Sequence, residues 1–241
     1  MRVAVSSSAF RQPFGTGELT QLEWVERCAS VLGADGVMAA VSDFPRFDGE
    51  YVAQLRKVAI DLGIVPFGID APGLLEPAAD PAAIDRAVAL AQGFGAAVIR
   101  TGPPAPGDVP PATFSEAIRA GKTLSRAAKA VNVTVVVTTA PGTIGEDLAA
   151  VRHLLKDVDS AWLRVCPSAL LEPAQVGSKD RFPAFLATPA DDAAAVAVRA
   201  NRAWVILDAP AGERPWDVVG DALAALRQAE AELLRVAGRA R

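Results

Sequence analysis

The chain has a single histidine, His153, and only two cysteines, Cys28 and Cys166, in 241 residues. One histidine cannot build a histidine-rich metal centre. The two cysteines sit in apolar runs with no C-x-x-C pair, which excludes a disulfide framework and predicts a reducing compartment. There is no basic excess: 24 Lys and Arg face 28 Asp and Glu, for a net charge of −4. No field is available to attract nucleic acid or anionic lipid. No apolar run approaches the roughly 20 residues that span a bilayer. The chain opens directly on a strand pattern, Arg2 to Ser6, without a signal sequence before it. A cytoplasmic protein without nucleic-acid or membrane partners is expected.

What the chain does have is apolar bulk, 51% of its residues. A chain of this size buries roughly 70–75% of its extended surface. One domain over 1–241 is predicted, because α/β barrels of about 250 residues form single units. Short apolar runs alternate with amphipathic stretches. Gly33, Gly63 and Gly93 recur at the length of one strand–helix unit, each read as a helix stop before a strand.

Helix punctuation supports that division. Thr20 and Glu23 form a capping box ahead of Leu22, Val25, Ala29 and Leu32. Asp48 caps a helix carrying Val52, Leu55, Ala59 and Leu62, and Asp80 with Pro81 starts another through Ile84, Ala87, Val88 and Ala91. Thr113 and Glu116 read as a second capping box. Helices over 146–155, which contains His153, and 215–236 follow. Strands are predicted at 3–7, 36–40, 64–69, 96–101, 133–138, 161–166, 185–188 and 203–208, several continuously apolar as in a doubly covered parallel sheet. The spacing gives a single α/β (β/α)8 TIM barrel. Its last quarter reads as eroded: 170–181, with Pro173 and Gly177, is too broken for a normal sixth helix, and 191–200 gives a short seventh.

Leu32-Gly-Ala-Asp-Gly-Val-Met38, Asp43-Phe-Pro45, Tyr51, Leu55 and Ala59-Ile-Asp-Leu-Gly63 resemble the xylose isomerase-like TIM barrel superfamily of sugar isomerases, epimerases and endonuclease IV-like barrels. The resemblance is strongest over the first two-thirds of the chain. It implies a divalent ion held by a glutamate, an aspartate, a histidine and a glutamate at the tips of strands five to eight. The matching phrases are Val133-Thr-Val-Val-Val-Thr-Thr-Ala-Pro-Gly-Thr143, Val165-Cys-Pro-Ser-Ala-Leu170, Phe185-Leu-Ala-Thr-Pro-Ala-Asp191 and Val205-Ile-Leu-Asp208. They place Thr138, Cys166, Thr188 and Asp208 at the four ligand positions, with Ala169 at an accompanying histidine. Met38 stands where a further glutamate often ends strand two.

One carboxylate out of four positions is a poor set for Mg²⁺ or Mn²⁺, which take several hard oxygen donors. No metal and no other cofactor are therefore expected. Two carboxylates about 4 Å apart without an ion repel by roughly 4 kcal/mol at an effective dielectric of 20, so the neutral replacements read as a coordinated loss. Arg164, two residues before Cys166, shares its face of the strand. It is expected near the former ion position, with Asp208 or Asp191 as its anionic partner and Arg100 as a second cation. The bland alternative is an Arg164–Asp208 pair that fills space.

Arg100, Thr138, Thr139, Arg164, Cys166, Thr188 and Asp208 form the candidate ligand-binding set. Cys166 is expected to be a buried structural thiol. Asp70, Asp191 and Asp208 are the acid–base candidates, with solvation at the surface as the ordinary reading for Asp70. Asp43 and Arg46 lie in the loop after strand two, either near a ligand or bridging each other. The leading reading is a metal-free sugar (phosphate) isomerase/epimerase-like barrel, a pseudoenzyme that binds a small polar or anionic ligand such as a sugar or sugar phosphate. The alternative is an active isomerase or epimerase using metal-independent acid–base chemistry. Alanine-rich helices leave homodimerisation open, with Leu226, Leu233 and Val236 either completing the barrel or meeting a partner.

Overall fold

The computed structural model describes residues 1–77, 80–107, 110–169, 182–200 and 203–239. The strands are β1 (Arg2–Ser6), β2 (Gly36–Ala40), β3 (Val65–Asp70), β4 (Val98–Thr101), β5 (Thr134–Thr138), β6 (Leu163–Cys166), β7 (Ala184–Ala187) and β8 (Trp204–Leu207). All pairings are parallel, in the order β6-β5-β4-β3-β2-β1-β8-β7. The barrel is nearly closed. Between β6 and β7, among the described residues, the ladder shrinks to one bridge, Ser168 to Leu186, with Leu186 N–H donating to Pro167 O at 2.9 Å.

The helices are α1 (Arg11–Thr16), α2 (Gln21–Ser30), α3 (Gly49–Asp61), α4 (Pro81–Phe94), α5 (Pro110–Ala130), α6 (Leu148–Val158), α7 (Ala193–Arg199) and α8 (Pro215–Arg239). Their starts follow local chemistry. Thr20 and Glu23 satisfy each other's backbone N–H groups ahead of α2, and Asp48 and Asp147 accept N–H bonds at the heads of α3 and α6. Asp80 caps α4 with Pro81 in its first turn. The short α7 agrees with the expected erosion; the broken stretch 170–181 lies outside the described residues.

Two punctuation expectations need correction. The left-handed stop after α4 is Gly95 at φ +81°, whereas Gly93 lies inside the helix. A Cβ at Gly93 would come within 3.0 Å of Val52, so this glycine serves close approach of α4 to α3. The Thr113–Glu116 box is not a helix start, because α5 begins three residues earlier. The Thr113 hydroxyl instead accepts the Gly107 N–H.

Strand alternation divides the apolar residues into two clusters. Outward-facing residues such as Val3, Val37, Ile99, Val135 and Val205 pack under the helices. Inward-facing Ala4, Met38, Phe67, Val98, Val136, Cys166, Ala184 and Ile206 fill the barrel. This plug is tight around Gly68, where a Cβ would lie 2.5 Å from Met38 Cε and 2.7 Å from Val98 Cγ2. Leu226 of α8 belongs to the core, whereas Val236 near the end of that helix is exposed. Gly68→Ala is expected to lower stability by about 1–3 kcal/mol through overpacking, measured by urea unfolding.

Candidate functional site

The same alternation that fills the barrel carries polar side chains onto its carboxyl-end mouth. Two residues beyond Ala4, Val98, Val136 and Ile206 along their strands come Ser6, Arg100, Thr138 and Asp208. Asp70 joins them as the register partner of Arg100. In barrels of this kind the strand carboxyl ends form the functional face.

Arg100 is the hub of this layer. Its Nε donates to Asp70 Oδ1 at 2.8 Å and its Nη1 to Asp208 Oδ2 at 2.6 Å. The guanidinium side chain is 7% exposed. Burial opposes its charge, but the two carboxylates outweigh that penalty and hold its pKa above the ordinary arginine value. The Ser8 hydroxyl donates to Asp208 Oδ1 and also lies 3.0 Å from Ser6 Oγ. Burial alone would raise the Asp208 carboxyl. The charge of Arg100 and hydrogen bonds from Ser8, Arg100 and Ser6 overcome it, and the carboxyl sits below its usual range.

Beside this cluster, Asp43 accepts a bond from Ser7, whose Oγ accepts the Ala40 N–H at 2.8 Å. Burial pushes the Asp43 carboxyl up, against the Ser7 and Ser42 hydrogen bonds and Arg11. Arg46 pairs with Asp48, so the alternative Asp43–Arg46 bridge is not formed. A cavity of about 660 Å³ opens at the mouth, lined in part by Ser8, Arg11, Thr188, Asp208 and Ala209.

The remaining candidates separate by surroundings and by local use. Arg164 is exposed toward the amino end of β6, where it lines a different cavity with Lys156 and Phe182. It shares the inward parity of Cys166 but is exposed, and the expected Arg164–Asp208 pair is replaced by Arg100–Asp208. Asp70 is buried against Arg100, not solvated. The Asp191 carboxylate accepts the Thr188 N–H at 2.7 Å and closes its own turn. Thr188 is exposed at the rim, and Thr138 and Thr139 are half-buried, with Thr138 donating to Thr101 O at 3.5 Å. Cys166 is sealed in the barrel. Burial pushes its thiol up to about 12, so no thiolate nucleophile forms at neutral pH. His153 stacks on Phe114 from α6, with centroids 5.0 Å apart. Ser6 and Ser8 were absent from the expected set; the run Ser6-Ser7-Ser8 ending the first strand is the signal that marks them.

The residues do not fit the divalent ion that the sequence resemblance implies. Asp208, the single carboxylate among the four ligand positions, is engaged on both oxygens by Arg100 and Ser8. A doubly charged ion about 4 Å from the guanidinium would be repelled by roughly 8 kcal/mol at an effective dielectric of 20. Among the described residues, no three His, Cys, Asp or Glu side chains group as metal ligands.

Two outcomes follow. Arg100→Met leaves Asp70 and Asp208 without their cation, and urea unfolding is expected to show a loss of about 3–5 kcal/mol. The folded pKa of Asp208 is lower than its unfolded value of about 3.9. Its stabilisation is therefore complete above about pH 4 and is lost as pH falls through the folded pKa. Asp208→Asn should flatten the part of the stability–pH curve that lies below about pH 4, with an unchanged acid limb counting against the pairing.

Neither a protein-family model nor a curated protein sequence matches the chain. Solved structures do. The chain resembles a D-allulose 3-epimerase from Methylomonas sp., crystallised with D-allulose, at TM-score 0.73 and 11% identity, covering 95% of this chain and 96% of that one. It also resembles the probable 3-DHS dehydratase AsbF of Bacillus anthracis, involved in petrobactin synthesis, at TM-score 0.70 and 13% identity, over 94% and 99% of the two chains. A third is the 3-keto-D-glucoside 4-epimerase YcjR of E. coli, at TM-score 0.67 and 13% identity, over 95% and 99%. At these identities the likeness speaks to architecture alone, and the architecture is that of a parallel (β/α)8 TIM barrel.

Proposed function

We propose that this protein is a sugar isomerase/epimerase-like barrel that has given up its divalent-metal site and binds a small polar ligand, a sugar or sugar phosphate, at the carboxyl-end mouth. The observation that carries this reading is the engagement of Asp208 by Arg100 and Ser8, where the resemblance calls for an ion. The cavity of about 660 Å³ beside Asp208 is within the range of small-molecule pockets. Sugar epimerases among the structural neighbours support the ligand class.

A second reading keeps catalysis. Asp70 and Asp208 converge on one guanidinium, which favours metal-independent acid–base chemistry by that pair. The lowered pKa of Asp208 makes it a weak base, so the binding role ranks first. The buried free cysteines fit a reducing cytoplasm. No described helix is long and apolar enough to cross a membrane.

Metal analysis of the purified protein, paired with thermal-shift scans, tests the reading. Substoichiometric Mn²⁺ and Zn²⁺, no response to EDTA, and a rise with a sugar or sugar phosphate are expected. A ligand at 100 times its Kd adds about 2.7 kcal/mol, or roughly 5–10 °C for a chain of this size. Stoichiometric metal whose removal by EDTA lowers the Tm overturns the reading. Turnover of a ketose or aldose that survives chelation moves the second reading ahead.

A further inference from the structure

The cavity beside Asp208 offers a ligand an uneven set of polar groups. Among the polar side chains of its described lining, Ser8 and Asp208 are engaged with each other, and the second Asp208 oxygen accepts from Arg100. Arg11 and Thr188 are not so engaged. The Arg11 side chain is exposed and makes no hydrogen bond or ion pair among the described residues; its charge reaches Asp43 without one. Of Thr188 only the backbone N–H is taken, by Asp191, which leaves its hydroxyl free at the rim. Much of the remaining wall is apolar, with Pro189, Ala190, Pro210, Ala211 and Val218.

Free donors therefore outweigh free acceptors. A guanidinium donates and never accepts, whereas a neutral sugar brings hydroxyl protons that each need an acceptor. Burying such protons without partners is unfavourable. An oxyanion brings acceptors only, and its paired oxygens match the guanidinium fork. The charge of the mouth also orients such a ligand. The Asp70–Arg100–Asp208 unit keeps one net negative charge, so the anionic end belongs on Arg11 and the uncharged body toward Asp208.

We propose that Arg11 is the specificity-determining residue of the mouth: its guanidinium, helped by the Thr188 hydroxyl, holds an oxyanion, a phosphate ester or a carboxylate, carried by a sugar-sized ligand. The proposal rests on the reading that the mouth binds a sugar or sugar phosphate. It goes further by choosing the charged member and naming the side chain that selects it. An arginine that is merely solvated at the rim would not discriminate between a charged and a neutral ligand.

Isothermal titration calorimetry with D-fructose, its terminal monophosphate and D-gluconate tests this in the unaltered chain, Arg11→Gln, Arg11→Lys and Thr188→Val. At least one of the two anions is expected to bind more tightly than D-fructose, and which one does separates phosphate from carboxylate. Arg11→Gln should weaken that anion by about 10–100-fold, the loss of a charge-assisted fork, and leave D-fructose unaffected. Arg11→Lys keeps the charge without the fork and should fall between the two. Thr188→Val should weaken the anion by about 2–10-fold. In the unaltered chain the anion's affinity should fall as NaCl is raised, a readout that needs no variant. D-fructose binding as tightly as both anions overturns the proposal and leaves the mouth as a ligand site. The same holds for anion binding that Arg11→Gln leaves intact or that is indifferent to salt. Silence of all three probes in the unaltered chain overturns this proposal and the ligand reading together.

Discussion

A guanidinium inside a barrel is stable only while anions share its enclosure, since the desolvation of an unpaired charge costs several kcal/mol. Arg100 meets that condition with two carboxylates drawn from strands on either side of the barrel, β3 and the end of β8. The pairing fixes much else at the mouth. Asp208 is held ionised, its second oxygen is taken by Ser8, and Ser8 in turn contacts Ser6 and the Ala209 carbonyl. The tips of β1, β3, β4 and β8 are thereby tied into one polar layer above an apolar plug. Such networks are stable when satisfied and costly when broken, which makes the layer a single structural unit.

The fold places this unit by simple periodicity. Inward positions on each strand repeat every second residue, so the tier above the plug is dictated once the plug is known. At the centre of that tier the chain presents a covalently attached cation with its own carboxylates. An exchangeable ion can coordinate a ligand and leave; Arg100 is tethered and has two of its nitrogens committed. Beside it opens the wider cavity, lined in part by Arg11, Ser8 and Thr188.

Much of the architecture was legible in the residues. Thr20 with Glu23, Asp48, and Asp80 with Pro81 marked true helix starts because capping is a local interaction between neighbours in sequence. Thr113 with Glu116 matched the same pattern inside a helix, since the pattern does not exclude an earlier start. Gly93 kept the thirty-residue spacing for a packing reason, its contact with Val52, which only tertiary structure reveals. At the site, Arg100 and Asp208 were identified but Arg100 was given second place to Arg164. Both arginines have inward parity. Both are also register partners of Val136, so register does not separate them either. What does is surroundings: Arg164 is exposed on β6, beside the thin β6–β7 contact, whereas Arg100 is buried between Asp70 and Asp208. Asp70 was read as solvated because its partner, thirty residues away, is brought beside it only by the β3–β4 register.

The most direct measurement is anomalous diffraction from crystals of the unaltered protein grown with excess Mn²⁺. The predicted result is continuous density for the guanidinium between Asp70 and Asp208, with no anomalous peak against either carboxylate. A strong peak on Asp208, with the Arg100 side chain turned out of the mouth, would contradict the view that the guanidinium has taken the ion's place.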